Sequence, residues 1–247
     1  MNLHIFESKD AMGQAAAKAG AAAYRNHTKA ANGEGALIVA TGASQFETLD
    51  HLTREDLPWP LITGFHIDEY AGIEITHRAS FCQYLWQRFV SKLPLPMRNF
   101  HFIRSAEDPQ KECDRLRSLH AENEVAVAFV GVGENAHLGF NDPPADFDTQ
   151  SSSLVVELDE QCRQQQVGEG WFDSLAEVPP TAITMSVHQI MKSKTIICTV
   201  PDERKAIALR GTLEGPVTPD VPASILQTHP DCHFFVDRAA ASLLKQD

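Results

Sequence analysis

The chain has 247 residues with 33 acidic and 21 basic side chains, which gives a formal net charge of −12. A chain this acidic has no excess of cations for phosphate backbones, and this excludes nucleic acid and anionic membranes as general partners. Hydrophobic residues make up 43%, and no apolar run approaches the roughly 20 residues that span a bilayer, so we expect a soluble protein with one sizeable core.

The cysteines and the first residues of the chain favour a cytoplasmic protein. The five cysteines are odd in number and widely spaced, and no pair has C-x-x-C spacing. This pattern predicts neither a disulfide framework nor a cysteine zinc site. The opening segment contains Glu7 and Asp10 and no long apolar stretch, so we expect no signal peptide.

Helical stretches alternate with apolar, strand-like runs along the chain. The predicted helices cover residues 10–31, 44–54, 80–92, 108–123 and 203–213, with one more at the C-terminus. The predicted strands cover residues 36–40, 61–67, 125–130, 195–200 and 233–236. Apolar strands separated by helices are typical of a parallel sheet covered on both faces. We therefore expect a three-layer, Rossmann-like α/β fold in a single domain over residues 1–247.

Polar or glycine-containing segments follow four of these strands, and in a parallel sheet such ends share one edge, where ligands bind. The segments are Thr41–Ser44, Asp68–Tyr70, Gly131–His137 and Pro201–Lys205. The first leads into a predicted helix whose free N–H groups suit a phosphate, the alternative being an ordinary N-cap by Ser44. Lys205 is a candidate phosphate-binding cation, the alternative being a surface lysine.

Two of the segments carry candidate acid–base groups. Asp68 and Glu69 point to opposite faces if they lie in a strand, so one of them could be a general base; a solvated or helix-capping pair is the alternative. His137 with Asp142 resembles an acid–base relay, and a structural histidine is the alternative. Residues 131–136 also fit the dinucleotide-binding pattern G-x-G-x-x-A. That pattern requires a helix after the glycines, and Pro143 and Pro144, which follow closely, favour a loop instead.

At these four segments the sequence resembles the glucosamine-6-phosphate deaminase (isomerase) family. The stretches that carry the resemblance are ATGAS at 40–44, FHIDEY at 65–70, GVGENAHLGFNDP at 131–143, ERKAIALRGTLEG at 203–215 and SILQTHPD at 224–231. They occur in order across nearly the whole chain. The combination of F-x-x-DEY with G-x-G-x-x-x-H-x-x-FN is specific to the family.

The resemblance implies a role for each segment. Asp68 is implied as the general base that moves a proton between C2 and C1 of an open-chain amino sugar, His137 as the ring-opening acid/base, and Asp142 as its carboxylate partner. The implied substrate and phosphate contacts are Thr41, Gly42, Ala43, Ser44, Glu69, Gly133 and Lys205. The implied reaction converts glucosamine 6-phosphate or galactosamine 6-phosphate and water to a ketose 6-phosphate and ammonia, without metal or organic cofactor.

Two departures from the family pattern concern the catalytic loop and the lid. Asn135 stands where many members have an aspartate, and we keep it in the catalytic set because an amide can orient an imidazole. The family's mobile lid, expected here around residues 150–182, carries a phosphate-binding arginine before an aromatic pair. No arginine precedes Trp171 directly, so Arg163 is the nearest candidate for that role and Arg204 another.

Two other functions fit the same fold. The related 6-phosphogluconolactonases share the G-x-G-x-x-x-H loop but usually lack both DEY and FN-[DE]-P. A sugar-phosphate-binding regulator without catalysis is the second alternative, and the retained Asp68 and His137 count against it. The sequence leaves assembly into a homo-oligomer open.

Overall fold

The computed structural model describes residues 1–106 and 108–245. The described strands are β1 (Asn2–Phe6), β2 (Gly35–Val39), β3 (Ile62–His66), β4 (Asp68–Tyr70), β5 (Asn99–His101), β6 (Val125–Gly131), β7 (Ser153–Glu157), β8 (Thr181–Met185), β9 (Thr195–Val200) and β10 (Cys232–Asp237). The described α-helices are α1 (Lys9–Thr28), α2 (Phe46–Leu52), α3 (Phe81–Arg88), α4 (Pro109–Glu122), α5 (Glu160–Gly168), α6 (Val187–Ile190) and α7 (Ala206–Glu214).

Seven of these strands form one sheet in the order β1-β10-β9-β6-β2-β3-β5, and every neighbouring pair is parallel. The central strands are buried along nearly their whole length, which explains their continuous apolar sequences. Successive residues of β2 face opposite layers: Ile38 packs in the layer that contains α6 and α7, and Leu37 in the layer that contains α1 and α2. The predicted α/β fold with helices on both faces is confirmed.

A second, three-stranded antiparallel sheet in the order β4-β8-β7 was not predicted. The chain passes from β3 through Ile67 into β4, and the Met185 amide donates to the Ile67 carbonyl at 2.7 Å. Strands β7 and β8 lie at the two ends of the segment that was expected as a lid. Between these two strands, the segment consists of α5 and the loops around it.

Five predicted helices differ from the structure. The α-helices expected at 10–31 and 80–92 end at Thr28 and Arg88, and 3₁₀ turns follow over Lys29–Ala31 and Val90–Lys92. The helix expected from residue 44 is a 3₁₀ turn over Ala43–Gln45 followed by α2, and the helix expected from residue 203 is a 3₁₀ turn over Glu203–Lys205 followed by α7. The expected C-terminal helix is only a 3₁₀ turn over Ala240–Leu243. Strands β1 and β5 lie at the sheet edges, are short and largely exposed, and so lack the apolar runs that marked the buried strands.

In the described part of the chain, no helix is both long and apolar enough to cross a bilayer.

Candidate active site

A pocket opens at the carboxyl ends of the neighbouring strands β9, β6 and β2, as expected for a parallel sheet. The segments that follow these strands line it, together with Asp68 from β4 and residues at the end of α5. The four polar segments identified in the sequence therefore do meet at one edge. The described lining residues are Ala40, Thr41, Gly42, Ala43, Ser44, Asp68, Phe81, Gly131, Val132, Gly133, His137, Gly139, Phe140, Gln165, Gln166, Glu169, Pro201, Asp202, Arg204 and Lys205.

The loop over residues 41–44 offers four consecutive backbone N–H groups that have no protein partner among the described residues. Gly42 takes a positive φ of 90°, and the Tyr84 hydroxyl donates to its carbonyl at 2.9 Å. The side chain of Gln45 donates to the Val130 carbonyl at 3.2 Å and to the Thr199 hydroxyl at 2.8 Å, which fixes the loop to β6 and β9. The amides of Ala43 and Ser44 lie at the start of the 3₁₀ turn over Ala43–Gln45 that leads into α2, and those of Thr41 and Gly42 belong to the loop before it.

Asp68 is a nearly fully buried carboxyl group in the pocket. Its side chain is about 6% exposed, and its Oδ1 atom has no hydrogen-bond partner among the described residues. Burial and the neighbouring Glu69 charge raise its pKa to about 8, although contacts with the Thr41 side chain and the Phe140 backbone lower it. A carboxylate whose pKa is raised in this way binds a proton more strongly, and is therefore a better general base, than an exposed carboxylate.

Glu69 does not enter the pocket, which corrects the expectation that it contacts a ligand. It accepts hydrogen bonds from the Ser80 hydroxyl at 2.8 Å and from the amides of Phe81 and Cys82 at 3.1 and 2.9 Å. Glu69 therefore caps the start of α3, although burial still raises its pKa. The alternation of side chains along β4 separates the two adjacent carboxylates into different environments.

His137 lies in the pocket beside the carboxylate of Asp142. Its Nδ1 is 3.2 Å from Asp142 Oδ1, close but not linearly aligned, and a Cβ atom at position 133 would lie only 2.2 Å from Nε2. Gly133 is thus required for the ring to fit. Burial opposes the ionisation of Asp142, but His137, Asn135 and the Asp159 amide outweigh it and hold its pKa below the usual range.

Asn135 stands behind this pair and does not line the pocket. Its Nδ2 donates to Asp142 Oδ1 at 3.1 Å and to Asp159 Oδ2 at 3.0 Å, and its Oδ1 accepts from the His137 amide at 3.1 Å. The amide therefore orients the Asp142 carboxylate and the loop, and not the imidazole ring as expected from sequence. We treat Asn135 as a positioning residue.

Lys205 is a buried cation, about 5% exposed, at the edge of the pocket. Burial lowers its pKa, and the charges of Glu169 and Glu134 oppose that change. It forms no ion pair in the described residues, so its charge is available to a ligand. Arg204 also lines the pocket; it is half exposed and pairs with Glu134 at 3.2 Å.

Arg163 does not replace the missing lid arginine. Its guanidinium donates to the carbonyls of Leu175 and Val178 at 2.7 and 3.1 Å, which anchors the segment after α5, and it does not line the pocket. The expectation that Arg163 binds phosphate is therefore corrected.

The pocket residues that the sequence did not single out come mainly from α5 and its C-terminal turn. Gln165, Gln166 and Glu169 lie there, and Gln166 accepts from the Tyr70 hydroxyl at 2.9 Å. Amide side chains on a short polar helix carry no spacing signal, so only their position in the folded structure identifies them.

The raised pKa of Asp68 predicts a pH-dependent stability effect. The unfolded carboxyl ionises near its ordinary pKa of about 4, whereas the folded one keeps its proton until about pH 8, so wild-type stability falls across that interval. The Asp68→Asn variant cannot ionise, and we expect its Tm to exceed the wild-type value by a few degrees at pH 8, with the difference vanishing near pH 4. Thermal unfolding over this pH range measures it, with the exposed Asp220→Asn variant as control. A variant less stable than wild type at pH 8 would contradict the assigned burial.

Known proteins match this sequence over most of its length. The family model described as glucosamine-6-phosphate isomerases/6-phosphogluconolactonase matches residues 7–234. A glucosamine-6-phosphate deaminase from Ligilactobacillus salivarius is 34% identical over 209 residues, covering 84% of this chain and 86% of that protein. One from Streptococcus pneumoniae is 33% identical over 219 residues, covering 88% and 91%.

Solved structures superpose on nearly the whole chain. A structure described as a monomeric glucosamine-6-phosphate deaminase superposes with a TM-score of 0.87 at 32% identity, covering 98% of this chain and 100% of that one. The 6-phosphogluconolactonases from Thermotoga maritima and Trypanosoma brucei superpose with TM-scores of 0.76 and 0.74 at 13% and 14% identity. They cover 96% and 99% of this chain and 99% and 98% of their own. At that identity they share the fold with this chain.

Proposed function

This chain belongs to the glucosamine-6-phosphate isomerase/6-phosphogluconolactonase family, and we propose that within it the protein converts glucosamine 6-phosphate and water to fructose 6-phosphate and ammonia. The observation that carries the proposal is the buried, proton-holding carboxyl of Asp68 in one pocket with the His137–Asp142 pair and the buried cation of Lys205. Lactone hydrolysis has no carbon-bound proton to move, so it gives no reason for a second, desolvated carboxyl.

The first step assigned to the site is opening of the sugar ring. His137 moves a proton from the C1 hydroxyl to the ring oxygen, which breaks the bond between C1 and that oxygen and leaves an open-chain aldehyde. Asp142 supports the imidazole while it is transiently charged, and Asn135 holds Asp142 in place.

The second step is proton transfer by Asp68. Its carboxylate removes the proton on C2, which is acidic because it lies beside the C1 aldehyde. The ammonium group of the substrate gives a proton to the C1 oxygen, and the product is a neutral 2-amino-1-enol. The same carboxyl group then delivers a proton to C1 and forms a C2 imine. Burial favours both halves of this step, because water near Asp68 would compete for the proton.

Water completes the reaction by adding to the C2 imine carbon. Cleavage of the carbon–nitrogen bond releases ammonia and leaves the C2 ketone of fructose 6-phosphate. The balance needs only substrate and water.

The phosphate group is assigned to the part of the pocket wall formed by the segments that follow β2 and β9, which we call the phosphate wall. The unpartnered amides of residues 41–44 form an anion-binding concavity, and Lys205 supplies a buried positive charge beside it. Arg204 is the second cation at this wall and takes the place of the lid arginine that the sequence lacks. A local site of this kind accommodates a dianion on a protein whose net charge is −12.

We assign the α5 segment, with its three pocket residues Gln165, Gln166 and Glu169, to the lid. Their amides and carboxylate contact the sugar hydroxyls in this proposal, and so they select between glucosamine and galactosamine 6-phosphates, which differ at a single hydroxyl. Glucosamine 6-phosphate is the proposed substrate because it is named for the relatives above.

The proposal is tested by turnover of glucosamine 6-phosphate in deuterated water. We expect ammonia and fructose 6-phosphate in equal amounts, and less than one deuterium per molecule at C1 of the ketose, measured by NMR, because the buried carboxyl of Asp68 carries the C2 proton to C1. Ammonia without a ketose, or one full deuterium at C1 from the first turnover, would count against proton transfer by a shielded Asp68.

The role of Arg204 gives a separate prediction. Because this side chain is half exposed and must leave Glu134 to reach the phosphate, Arg204→Ala should raise KM roughly two- to tenfold with kcat nearly unchanged. Steady-state kinetics measures the change, and the exposed Arg210→Ala on α7 is the matched control. Equal KM values for the two variants would remove Arg204 from the phosphate site.

A further inference from the structure

Cys162 lies directly against the His137–Asp142 pair, and none of the proposed reaction steps uses its thiol. Its sulfur, one ring nitrogen of His137 and one carboxylate oxygen of Asp142 all lie within 4.8 Å of one another. The cysteine is on α5, about 1% exposed, and does not line the substrate pocket. Its position is fixed because its amide donates to the Asp159 carboxylate at 2.5 Å.

The three donors form a set that suits a thiophilic divalent cation. Zinc is bound by thiolate, imidazole and carboxylate, at about 2.0–2.3 Å, so its tetrahedral ligands stand roughly 3.3–3.8 Å apart. Side-chain movements of about 1 Å bring the present atoms to that spacing. Magnesium and calcium prefer oxygen ligands and do not match a cysteine.

A surface cleft that Asp142 also lines places further negative charge close to these three donors. Its described lining includes the carboxylates of Asp142, Asp146, Glu157 and Asp159, and contains no lysine, arginine or histidine. An acidic cleft with no opposing cation raises the local concentration of positive ions. Asp142 therefore belongs both to the set of three donors and to the lining of the acidic cleft.

We propose that His137, Asp142 and Cys162 form an inhibitory binding site for Zn²⁺ or a similarly thiophilic divalent cation. The cation displaces the thiol proton to solvent and occupies Nδ1, the nitrogen that faces Asp142. Nε2 then keeps its proton and cannot accept another, and Asp142 is no longer free to support the ring. The inhibition rests on the proposed function, because it acts through the ring-opening step, whereas the binding does not.

The experiment titrates the metal-free protein with Cd²⁺ and follows the ultraviolet charge-transfer band of cadmium thiolate, and separately measures ammonia release with added Zn²⁺. We expect one equivalent of Cd²⁺ to bind, and Zn²⁺ to reduce the rate at least about tenfold, with recovery on chelation. Cys162→Ala should lose the band and require roughly 100-fold more Zn²⁺. The buried Cys113→Ala on α4 is the matched control and should behave as wild type.

A band or an inhibition that persists unchanged in Cys162→Ala overturns the site. If that variant does not fold, X-ray absorption of the wild-type protein with one equivalent of Zn²⁺ decides: one sulfur with nitrogen and oxygen neighbours supports the site, and a shell without sulfur overturns it. If the wild-type protein releases no ammonia, the proposed function fails, and the cadmium band still tests the metal site.

Discussion

Replacing Asp68 by asparagine should lower kcat on glucosamine 6-phosphate by roughly three orders of magnitude, in the middle of the range that a general base contributes. Asparagine has nearly the same shape and fills the same buried position, but it cannot take the proton from C2. Lys205 and the amides of residues 41–44 are untouched, so KM should change less than about threefold. Steady-state kinetics on the purified variant measures both values.

The control is a second carboxylate of the same pocket. Glu169→Gln changes charge beside the substrate but removes no proton acceptor from the proposed reaction, and we expect its kcat to fall less than about tenfold. An Asp68→Asn variant with a near-normal kcat would remove Asp68 as the base. A comparable loss in Glu169→Gln would show that pocket charge, and not proton transfer, is responsible.

Replacing Lys205 by methionine should reduce kcat/KM roughly 100-fold, with most of the loss in KM. A charged hydrogen bond to phosphate in a buried site contributes about 3 kcal/mol, and methionine preserves the apolar length of the side chain without the charge. The variant should fold at least as stably as wild type, because it removes a buried cation that forms no ion pair in the described residues.

The matched control is Lys111→Met, which removes the same charge from the exposed surface of α4. It should leave both kcat and KM close to the wild-type values. Inorganic phosphate as a competitive inhibitor gives a second readout, and its inhibition constant should rise in Lys205→Met only. Unchanged inhibition by phosphate in that variant would contradict the assigned phosphate wall.

The fold could be predicted from the buried strands because they carry the strongest signal that a sequence has. Continuous apolar runs marked β2, β6 and β9, and the polar residues after them marked the pocket edge. The second sheet escaped prediction because β4 has only three residues and β7 alternates between half-buried and exposed positions. Such short strands are defined by their partners and not by their own sequence.

Some site residues could be predicted from the sequence and others could not, because the position of a side chain depends on elements that are distant in the sequence. That Asp68 and Glu69 face different surroundings follows from strand alternation, but which of them faces the pocket depends on β8 and α3, which the local sequence does not reveal. Arg163 was misplaced because an arginine side chain near a pocket can equally satisfy backbone carbonyls, as it does here at Leu175 and Val178. The dinucleotide pattern at 131–136 was rightly rejected: Gly131 ends β6, and the residues after it form a loop, not a helix, in which Ala136 takes a positive φ of 66°.

The acidic and basic side chains that line the pocket can be compared with the net charge of the whole chain. The pocket combines Asp68, Asp202 and Glu169 with Arg204 and Lys205, so its cations do not outnumber its carboxylates. The proposed phosphate site therefore relies on the uncharged amides of residues 41–44 as much as on side chains. The proposed site thus holds one small phosphate ester on a protein whose net charge is −12.

The most direct test of this account compares kcat/KM on glucosamine 6-phosphate, galactosamine 6-phosphate and 6-phosphogluconolactone for the wild-type protein. We predict ammonia release from glucosamine 6-phosphate as the fastest reaction, slower release from galactosamine 6-phosphate, and no hydrolysis of the lactone above the uncatalysed rate. Lactone hydrolysis without ammonia release, or tight binding of glucosamine 6-phosphate without turnover, would contradict it.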